Sequence, residues 1–383
     1  MKKNLLMTAA MTAVLLTGCS TDEEIANIET SAKNAIGFNI VSNGAETKAI
    51  IHNNGSTNFD FDVFAFNHET GALFMGDQSN EYSHDGVEII YNDGKWDYKD
   101  PADLAYWPTN SLDFYAVSPA TFDSNLSTQL TWLIHSKEQK ISYSTIDEFG
   151  NSKGTKNLDV MYAVAKNQVK GTNSGVVKLN FKHTLSQVLF RAKVQYESMV
   201  VTINEMKVHN FAHGGTFTIP EGEPAQSNWS GTTTWVGAYT VKKAGTDITV
   251  PTEGKDTIWI STESDPMLFI PQQLTAWETT PGNAVSKETG NENGHSYLEI
   301  VMKLTQNGQY LIGTESSYQK IYVPFTNVDT NNTTGWEPGK RYIYTLTFGG
   351  GYDDQGKPIL TPITFDAEVT GWSDASGYNI QVK

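Results

Sequence analysis

Short runs in which apolar and polar residues alternate recur along the chain from position 36 onward. Such alternation predicts β-strands with one buried and one solvated face. Turn residues separate the runs, and sustained helical periodicity is almost absent. The pattern therefore predicts an all-β protein built from sandwiches or barrels. The predicted strands are 59–66, 86–91, 111–117, 139–144, 158–165, 176–181, 188–195, 200–208, 216–219, 257–260, 267–270, 297–304, 320–324 and 342–348.

The last predicted strand covers 363–370. Ile363, Phe365, Ala367 and Val369 alternate there with threonines and acidic residues. The strand follows a connection rich in Gly and Asp, so we expect it to be flexibly attached to the rest of the chain. One interpretation is that these four apolar side chains fill a groove in another copy of the chain. The other is that the strand completes the sheet of its own domain.

A similar pattern lies near the N-terminus, at 36–41. Ile36, Phe38 and Ile40 repeat the spacing of isoleucine, phenylalanine and an apolar residue that begins the last strand. A sandwich that lacks one strand exposes an apolar groove and unpaired strand edges, which favour the addition of a strand from elsewhere. We therefore expect the two terminal strands to compete for one groove.

The composition of the 383 residues agrees with this class of fold. Apolar residues make up 38% and aromatic residues 11% of the chain, enough for packed cores in about two or three domains. A half-turn predicted at 183–187 marks a boundary between an N-terminal domain at 35–185 and a C-terminal domain at 186–383. The net charge of −16 disfavours nucleic acid as a partner, because phosphates repel an acidic surface.

The first eighteen residues, 1–18, have a basic start and a short apolar run, which predict a leader too short to cross a bilayer. The leader ends in Leu-Thr-Gly before Cys19, and this string resembles a bacterial lipobox. The resemblance implies cleavage before Cys19, acylation of its thiol and attachment to the outer membrane. An ordinary signal peptide with a chance cysteine is the alternative. Acidic residues after Cys19 resemble the export signal of Bacteroidetes surface lipoproteins, and we expect 19–34 to be a flexible tether.

Several strings occur together in a fixed order after the lipobox. They are DVFAF at 62–66, YWP at 106–108 followed by LDFYA at 112–116, DVMYA at 159–163, FKHTL at 181–185, FIPQ at 269–272 and WEPGKRY at 336–342. The ordered set resembles the fimbrillin family of Bacteroidales surface proteins, in its Mfa-like branch. The resemblance implies two transthyretin-like β-sandwich domains in tandem, and a structural subunit of the surface fimbriae termed type V pili, with no enzymatic activity.

In that family, a trypsin-like protease removes the first strand, and the open groove accepts a donor strand from the C-terminal tail of another subunit. Carried onto this sequence, the removable strand is the one at 36–41, the donor lies within 359–372, and the candidate scissile bond joins Lys48 to Ala49. The family more commonly has Arg at the cut, and Lys lacks the planar guanidinium. A protease restricted to Arg would leave the chain uncut, as an anchor or accessory subunit.

Neither arginine of the chain offers a better processing site, because Arg191 and Arg341 lie in or beside predicted core strands.

A function of another class is a monomeric surface lipoprotein that binds a glycan or host protein without polymerising. Trp229, Trp235 and Tyr239 could form a sugar-stacking face for it, although core packing explains them more simply.

No catalytic, cofactor or metal site is predicted. With Cys19 as the only cysteine, the chain has no internal disulfide and no cysteine-based metal site. His209 and His213 lie beside a predicted turn at Gly-Gly, so we expect scattered surface histidines. Asp60 and Asp62 fall on one face of a strand start, where we expect a solvated edge. A glycan-degrading enzyme would need two converging carboxylates, and no pair stands out.

Overall fold

A computed structural model describes residues 34–42, 45–46, 60–77, 86–92, 95–120, 130–144, 159–171, 175–242, 244–250, 256–261, 267–277, 295–328, 333–349, 351–352, 358–359 and 363–371. Strands dominate these ranges, and Pro101–Asp103 and Gln226–Asn228 are single 3₁₀ turns between them. The predicted all-β class is confirmed. Among the described residues, no helix has the length and apolar character needed to cross a bilayer.

The strands follow in chain order. The first thirteen are β1 Gly37–Ser42, β2 Ala45–Glu46, β3 Asp60–Asn67, β4 Leu73–Met75, β5 Val87–Asn92, β6 Lys95–Tyr98, β7 Leu112–Ser118, β8 Leu130–Ile134, β9 Gln139–Ser144, β10 Met161–Gln168, β11 Val176–Leu179, β12 Lys182–His183 and β13 Ser186–Val194. The others are β14 Met199–Thr218, β15 Trp229–Lys242, β16 Ile248–Val250, β17 Ile258–Trp259, β18 Met267–Phe269, β19 Tyr297–Gln306, β20 Gln309–Ile312, β21 Gln319–Pro324, β22 Lys340–Phe348, β23 Gly351–Tyr352, β24 Pro358–Ile359 and β25 Thr364–Gly371.

Strand β14 corrects one prediction. The sequence predicts separate strands at 200–208 and 216–219 with a turn at Gly214 and Gly215, but β14 runs through both glycines as one strand of 20 residues. Its pairing with β15 shifts register several times, which marks β-bulges. A Cβ on Gly215 would lie 3.2 Å from the Thr232 side chain. The glycine therefore permits close approach of β15 and does not form a turn.

A seven-stranded sheet, ordered β12-β10-β7-β3-β5-β6 with β4 on β3, forms the middle of the N-terminal part. Alternation along β3 places Phe61 and Val63 on one face and Phe64 and Phe66 on the other. The first face packs against β1 and β11, and the second packs against β8, β9 and the end of β14.

The C-terminal part packs a five-stranded sheet, β17-β13-β22-β25 with β18 on β13, against the first half of β14, its neighbour β19 and the next strand, β21. The same β14 pairs with β19 near its start and with β9 at its end, so both predicted domains contribute to one ten-stranded sheet. Phe217 and Ile219 lie in a core with Trp132 of β8. The boundary near 186 stays a prediction, while the shared sheet and core join its two sides.

Strand β25 lies at the end of its sheet order and pairs antiparallel with β22, from Thr347 opposite Thr364 to Lys340 opposite Gly371. The connection before it was predicted to be flexible. Part of this connection is paired instead, because β23 pairs with β21 and β24 pairs with β23.

Candidate strand-exchange site

The first strand occupies an apolar groove of the N-terminal part. The side chains of Ile36, Phe38 and Ile40 are only 1%, 7% and 1% exposed. These three side chains therefore form the buried face that their alternation predicts. We call the groove that holds these three side chains the seat.

Aromatic rings of three strands line the seat around Phe38. Its ring centroid lies 6.3 Å from that of Phe61, 6.0 Å from that of Phe114 and 6.0 Å from that of Tyr98. The two Phe contacts have the edge-to-face geometry that aromatic pairs prefer. Burial of one such side chain is worth about 1.5–3 kcal/mol, so Phe38 is a principal anchor of β1.

The backbone of β1 pairs with two strands. It runs parallel to β11, from Gly37 opposite Val176 to Ile40 opposite Leu179, and it forms a short antiparallel pair with β2. Within the described part of the chain, β11 pairs with β1 alone. Departure of β1 would therefore open a strand edge as well as an apolar groove.

Main-chain contacts hold the start of the first strand. The Ile36 N–H donates to the Ala105 carbonyl and the Trp107 N–H donates to the Asn34 carbonyl, both at 2.9 Å. The Tyr98 hydroxyl donates to the Ile36 carbonyl, also at 2.9 Å. A cleft of about 410 Å³ opens beside these contacts, with Tyr98 and Leu104 in its wall.

The last strand is only partly inserted into its own core. Ile363 is buried in the C-terminal core and Ala367 is partly buried against it. Val369, expected on the buried face, is 43% exposed. The reason is its position near the end of an edge strand. The side chain of Phe365 lies outside the described structure.

A polar contact crosses the outer face of this sheet. Arg191 lies in β13, and its Nε donates to the Thr345 hydroxyl at 2.6 Å. Its Nη2 lies 3.5 Å from the Glu368 carboxylate of β25. Arg341 lies in β22, so both arginines are in strands, as the sequence predicts. Cys19 and the Lys48–Ala49 bond lie outside the described residues.

His209 is a correction to the expectation of scattered surface histidines. Its ring stacks on Tyr297 with centroids 4.4 Å apart, and its Nε2 lies 3.3 Å from Glu299, which also contacts Lys320 Nζ at 2.7 Å. Burial opposes ionisation of Glu299, yet His209 and Lys320 outweigh it and lower its pKa to about 2. His213 is half-buried, and desolvation lowers its pKa.

Asp62 is a second correction, because its side chain is not solvated. It is 3% exposed, and Gly86 lies so close that a Cβ there would be 2.6 Å from the Asp62 Cβ. Asp60 accepts a hydrogen bond from the Ala120 N–H at 3.2 Å. Neighbouring loops and strands, remote in sequence, therefore cover this strand start.

Two of the three aromatic residues considered for sugar stacking pack against the core. Trp229 is buried, and its indole N–H donates to the Thr184 carbonyl at 2.9 Å. Tyr239 is partly buried and packs against Phe269 at 5.1 Å between ring centroids. The side chain of Trp235 lies outside the described structure. Within the described residues, no three His, Cys, Asp or Glu side chains converge as metal ligands.

Comparisons with known proteins give a family and a fold. A family model described as fimbrillin-like matches residues 47–372. The structure of a fimbrial protein from Bacteroides vulgatus is 13% identical, with a TM-score of 0.55, and the match covers 89% of this chain and 100% of that one. The tip fimbrial protein Mfa3 of Porphyromonas gingivalis, truncated at its C-terminus, is 10% identical, with a TM-score of 0.36, over 82% of this chain and 94% of that one. No protein with curated annotation matches. The Bacteroides vulgatus structure supports a shared fold, and the match to Mfa3 is too weak to carry an argument.

Proposed function

The chain belongs to the fimbrillin-like family, and we propose that it is a structural subunit of a cell-surface fimbria that serves adhesion and assembles by strand exchange. The observation that carries the proposal is the family match over 47–372, which spans the residues after the first strand up to the end of the last. The filled seat and the matching spacing of the two terminal strands supply a means of assembly.

Export is the first step of the proposed route. The leader is cleaved before Cys19, whose acylated thiol attaches the precursor to the outer membrane, and 19–34 tether it at the cell surface. A trypsin-like protease then cuts after Lys48. Both β1 and β2 precede this bond, so one cut frees both strands.

Strand exchange is the second step. The freed seat presents the edge of β11 and the rings of Phe61 and Phe114. In the register we propose, Ile363, Phe365 and Ala367 of a second copy replace Ile36, Phe38 and Ile40. Buried side chains would contribute about 1.5–3 kcal/mol each, and each ladder hydrogen bond about 1 kcal/mol. Because the contact joins different surfaces of the two copies, repetition makes a filament, and the subunit moves from the membrane into the fimbria.

The pairing of β25 favours a second candidate. All eight residues of β25 pair with β22, and Arg191 contacts Glu368 on the same strand. A chain that kept both terminal strands would be an anchor subunit or a monomeric surface lipoprotein that binds a glycan or host protein. It would retain the acylated Cys19 and form no polymer.

A charge at Val369 separates the two candidates. Val369 is exposed in its own sheet, so Val369→Asp should leave the melting temperature nearly unchanged. In the proposed register it extends the inward face beyond Ala367, where a carboxylate is costly to bury, so polymer should be lost. The measurement is the ladder of an unheated gel beside the thermal melt.

Thr370→Asp is the matched control, because it adds the same charge to an exposed neighbour on the other face. It should preserve the ladder. Equal ladders from both variants would contradict the donor role, and unfolding of the Val369→Asp monomer would assign the strand to its own domain alone.

A further inference from the structure

Tyr98 lies at the start of the seat, where two hydrogen bonds hold the main chain of one residue of the first strand. Its hydroxyl donates to the Ile36 carbonyl at 2.9 Å. The Ile36 N–H donates to the Ala105 carbonyl at 2.9 Å. The Tyr98 hydroxyl and the Ala105 carbonyl therefore bind the carbonyl and the N–H of the same residue of the occupant.

These contacts involve only the main chain of the occupant. The Ile36 side chain is not used by the Tyr98 hydroxyl, which bonds to the carbonyl of that residue. Any strand that offers an N–H and a carbonyl at this position satisfies the same partners. Burial also raises the pKa of Tyr98, so the hydroxyl keeps its proton and remains a donor.

We propose that the Tyr98 hydroxyl is a positioning group that binds the main chain of whichever strand occupies the seat, the chain's own first strand or one from a second copy. The inference rests on the proposed function, because the second occupant is the donor strand. It assigns to Tyr98 the binding of the main chain at the start of the seat, while Phe61 and Phe114 accept the side chains.

The sequence before the donor strand agrees with this role. In the proposed register, Pro362 takes the position of Ala35. Ala35 and Tyr106 form an antiparallel bridge in which the Ile36 N–H donates to the Ala105 carbonyl and the Asn34 carbonyl accepts from the Trp107 N–H. An N–H at position 35 is therefore not needed. A proline is therefore accepted there, and Ile363 supplies the N–H that follows.

A slip by one residue in either direction is disfavoured. If Pro362 moved to the position of Ile36, the Ala105 carbonyl would lose its donor, because proline has no N–H. If Thr364 moved there instead, every side chain of the donor would face the wrong side. The Ala105 carbonyl and the alternation of side chains thus define the register, and the Tyr98 hydroxyl binds the carbonyl of the residue placed there.

Tyr98→Phe in the full chain tests the inference, because it removes the hydroxyl and keeps the ring beside Phe38. Amide hydrogen exchange at Phe38 to Val41 should become about five-fold faster, the effect of one hydrogen bond. Polymer from the cell surface should dissociate about five-fold faster on heating in detergent. Tyr162→Phe is the control, because its hydroxyl contacts the Gly222 carbonyl and its ring packs in the core on the other face of the sheet.

The outcomes separate this inference from the proposed function. Faster exchange and faster dissociation for Tyr98→Phe, with neither for Tyr162→Phe, supports it. Faster exchange of the first strand with unchanged polymer dissociation overturns it, because the hydroxyl would then serve only the chain's own strand. Absence of polymer from the unaltered chain defeats the proposed function and, with it, the donor half of the inference, whatever the exchange data show.

Discussion

At the scale of single residues, Glu299 is the clearest case of a charge held by its neighbours. Its carboxylate is buried on β19, between Lys320 of β21 and His209 of β14. These contacts outweigh desolvation and hold the pKa at about 2, below the ordinary 4.5. The folded chain therefore stabilises the ionised carboxylate of Glu299 more than the unfolded chain does.

Glu299→Gln should change how stability depends on pH. Because the folded pKa is lower than the unfolded one, Glu299 stabilises the fold fully above about pH 4.5, and this contribution is lost as the pH falls toward about 2. The loss is on the order of 3 kcal/mol. The variant should show a flatter fall in unfolding free energy over that range, measured by denaturant titration. Glu223→Gln, at an exposed position, is the control and should keep the pH dependence of the unaltered chain. If Glu299→Gln also keeps that pH dependence, Glu299 does not have the lowered pKa.

Burial of individual polar residues was not predictable from the sequence. Asp62 lies at the start of a predicted strand and His209 lies beside a predicted turn, and at both places the local sequence fits a solvated position. Their burial comes from Gly86, Tyr297 and Glu299, residues on other strands. The local sequence does not show which residues of other strands will lie nearby. The buried face of Ile36 and Phe38 was predictable because it follows from the alternation within their own strand.

At the scale of elements, alternation predicted the strands but not their partners. Every predicted run overlaps a strand, since side-chain period follows directly from strand geometry. The parallel pairing of β1 with β11 joins segments more than a hundred residues apart, and only the tertiary fold determines it. The continuity of β14 was missed because its two glycines resemble a turn until the close approach of β15 is known.

Phe217→Ala tests how firmly β14 joins the two parts of the chain. Phe217 is fully buried, with its ring 5.4 Å from Tyr162 and 5.3 Å from Trp229 between centroids. Its truncation should cost about 3–5 kcal/mol. Since β14 pairs with strands of both parts, calorimetry should show one transition shifted to lower temperature. Thr218→Ala, at the exposed neighbouring position, is the control and should leave the transition temperature unchanged. Two separate transitions, with only one shifted by Phe217→Ala, would contradict a core shared by the two parts.

At the scale of the whole molecule, the two terminal strands differ in how they are held. The first strand lies in an aromatic groove and pairs with both β11 and β2, whereas the last lies at the end of its sheet and exposes Val369. The first strand buries Ile36, Phe38 and Ile40, whereas among the described side chains of the last strand only Ile363 is fully buried. The asymmetry suits a subunit whose seat is the permanent feature and whose last strand is the part that is donated.

The sequence alone predicted this use of the two ends, through matching spacing and the family resemblance. The seat itself became visible only with the fold, because Phe61, Tyr98 and Phe114 come from three separate strands. Processing after Lys48 and acylation of Cys19 remain predictions from local sequence.

The most direct test is the N-terminal sequence and intact mass of the protein taken from the cell surface, with an unheated gel beside them. The account predicts a chain that begins at Ala49 and a ladder of polymers, and Lys48→Ala should abolish both. A single band whose N-terminus is acylated Cys19 would contradict strand exchange and leave an anchor or monomeric binding protein.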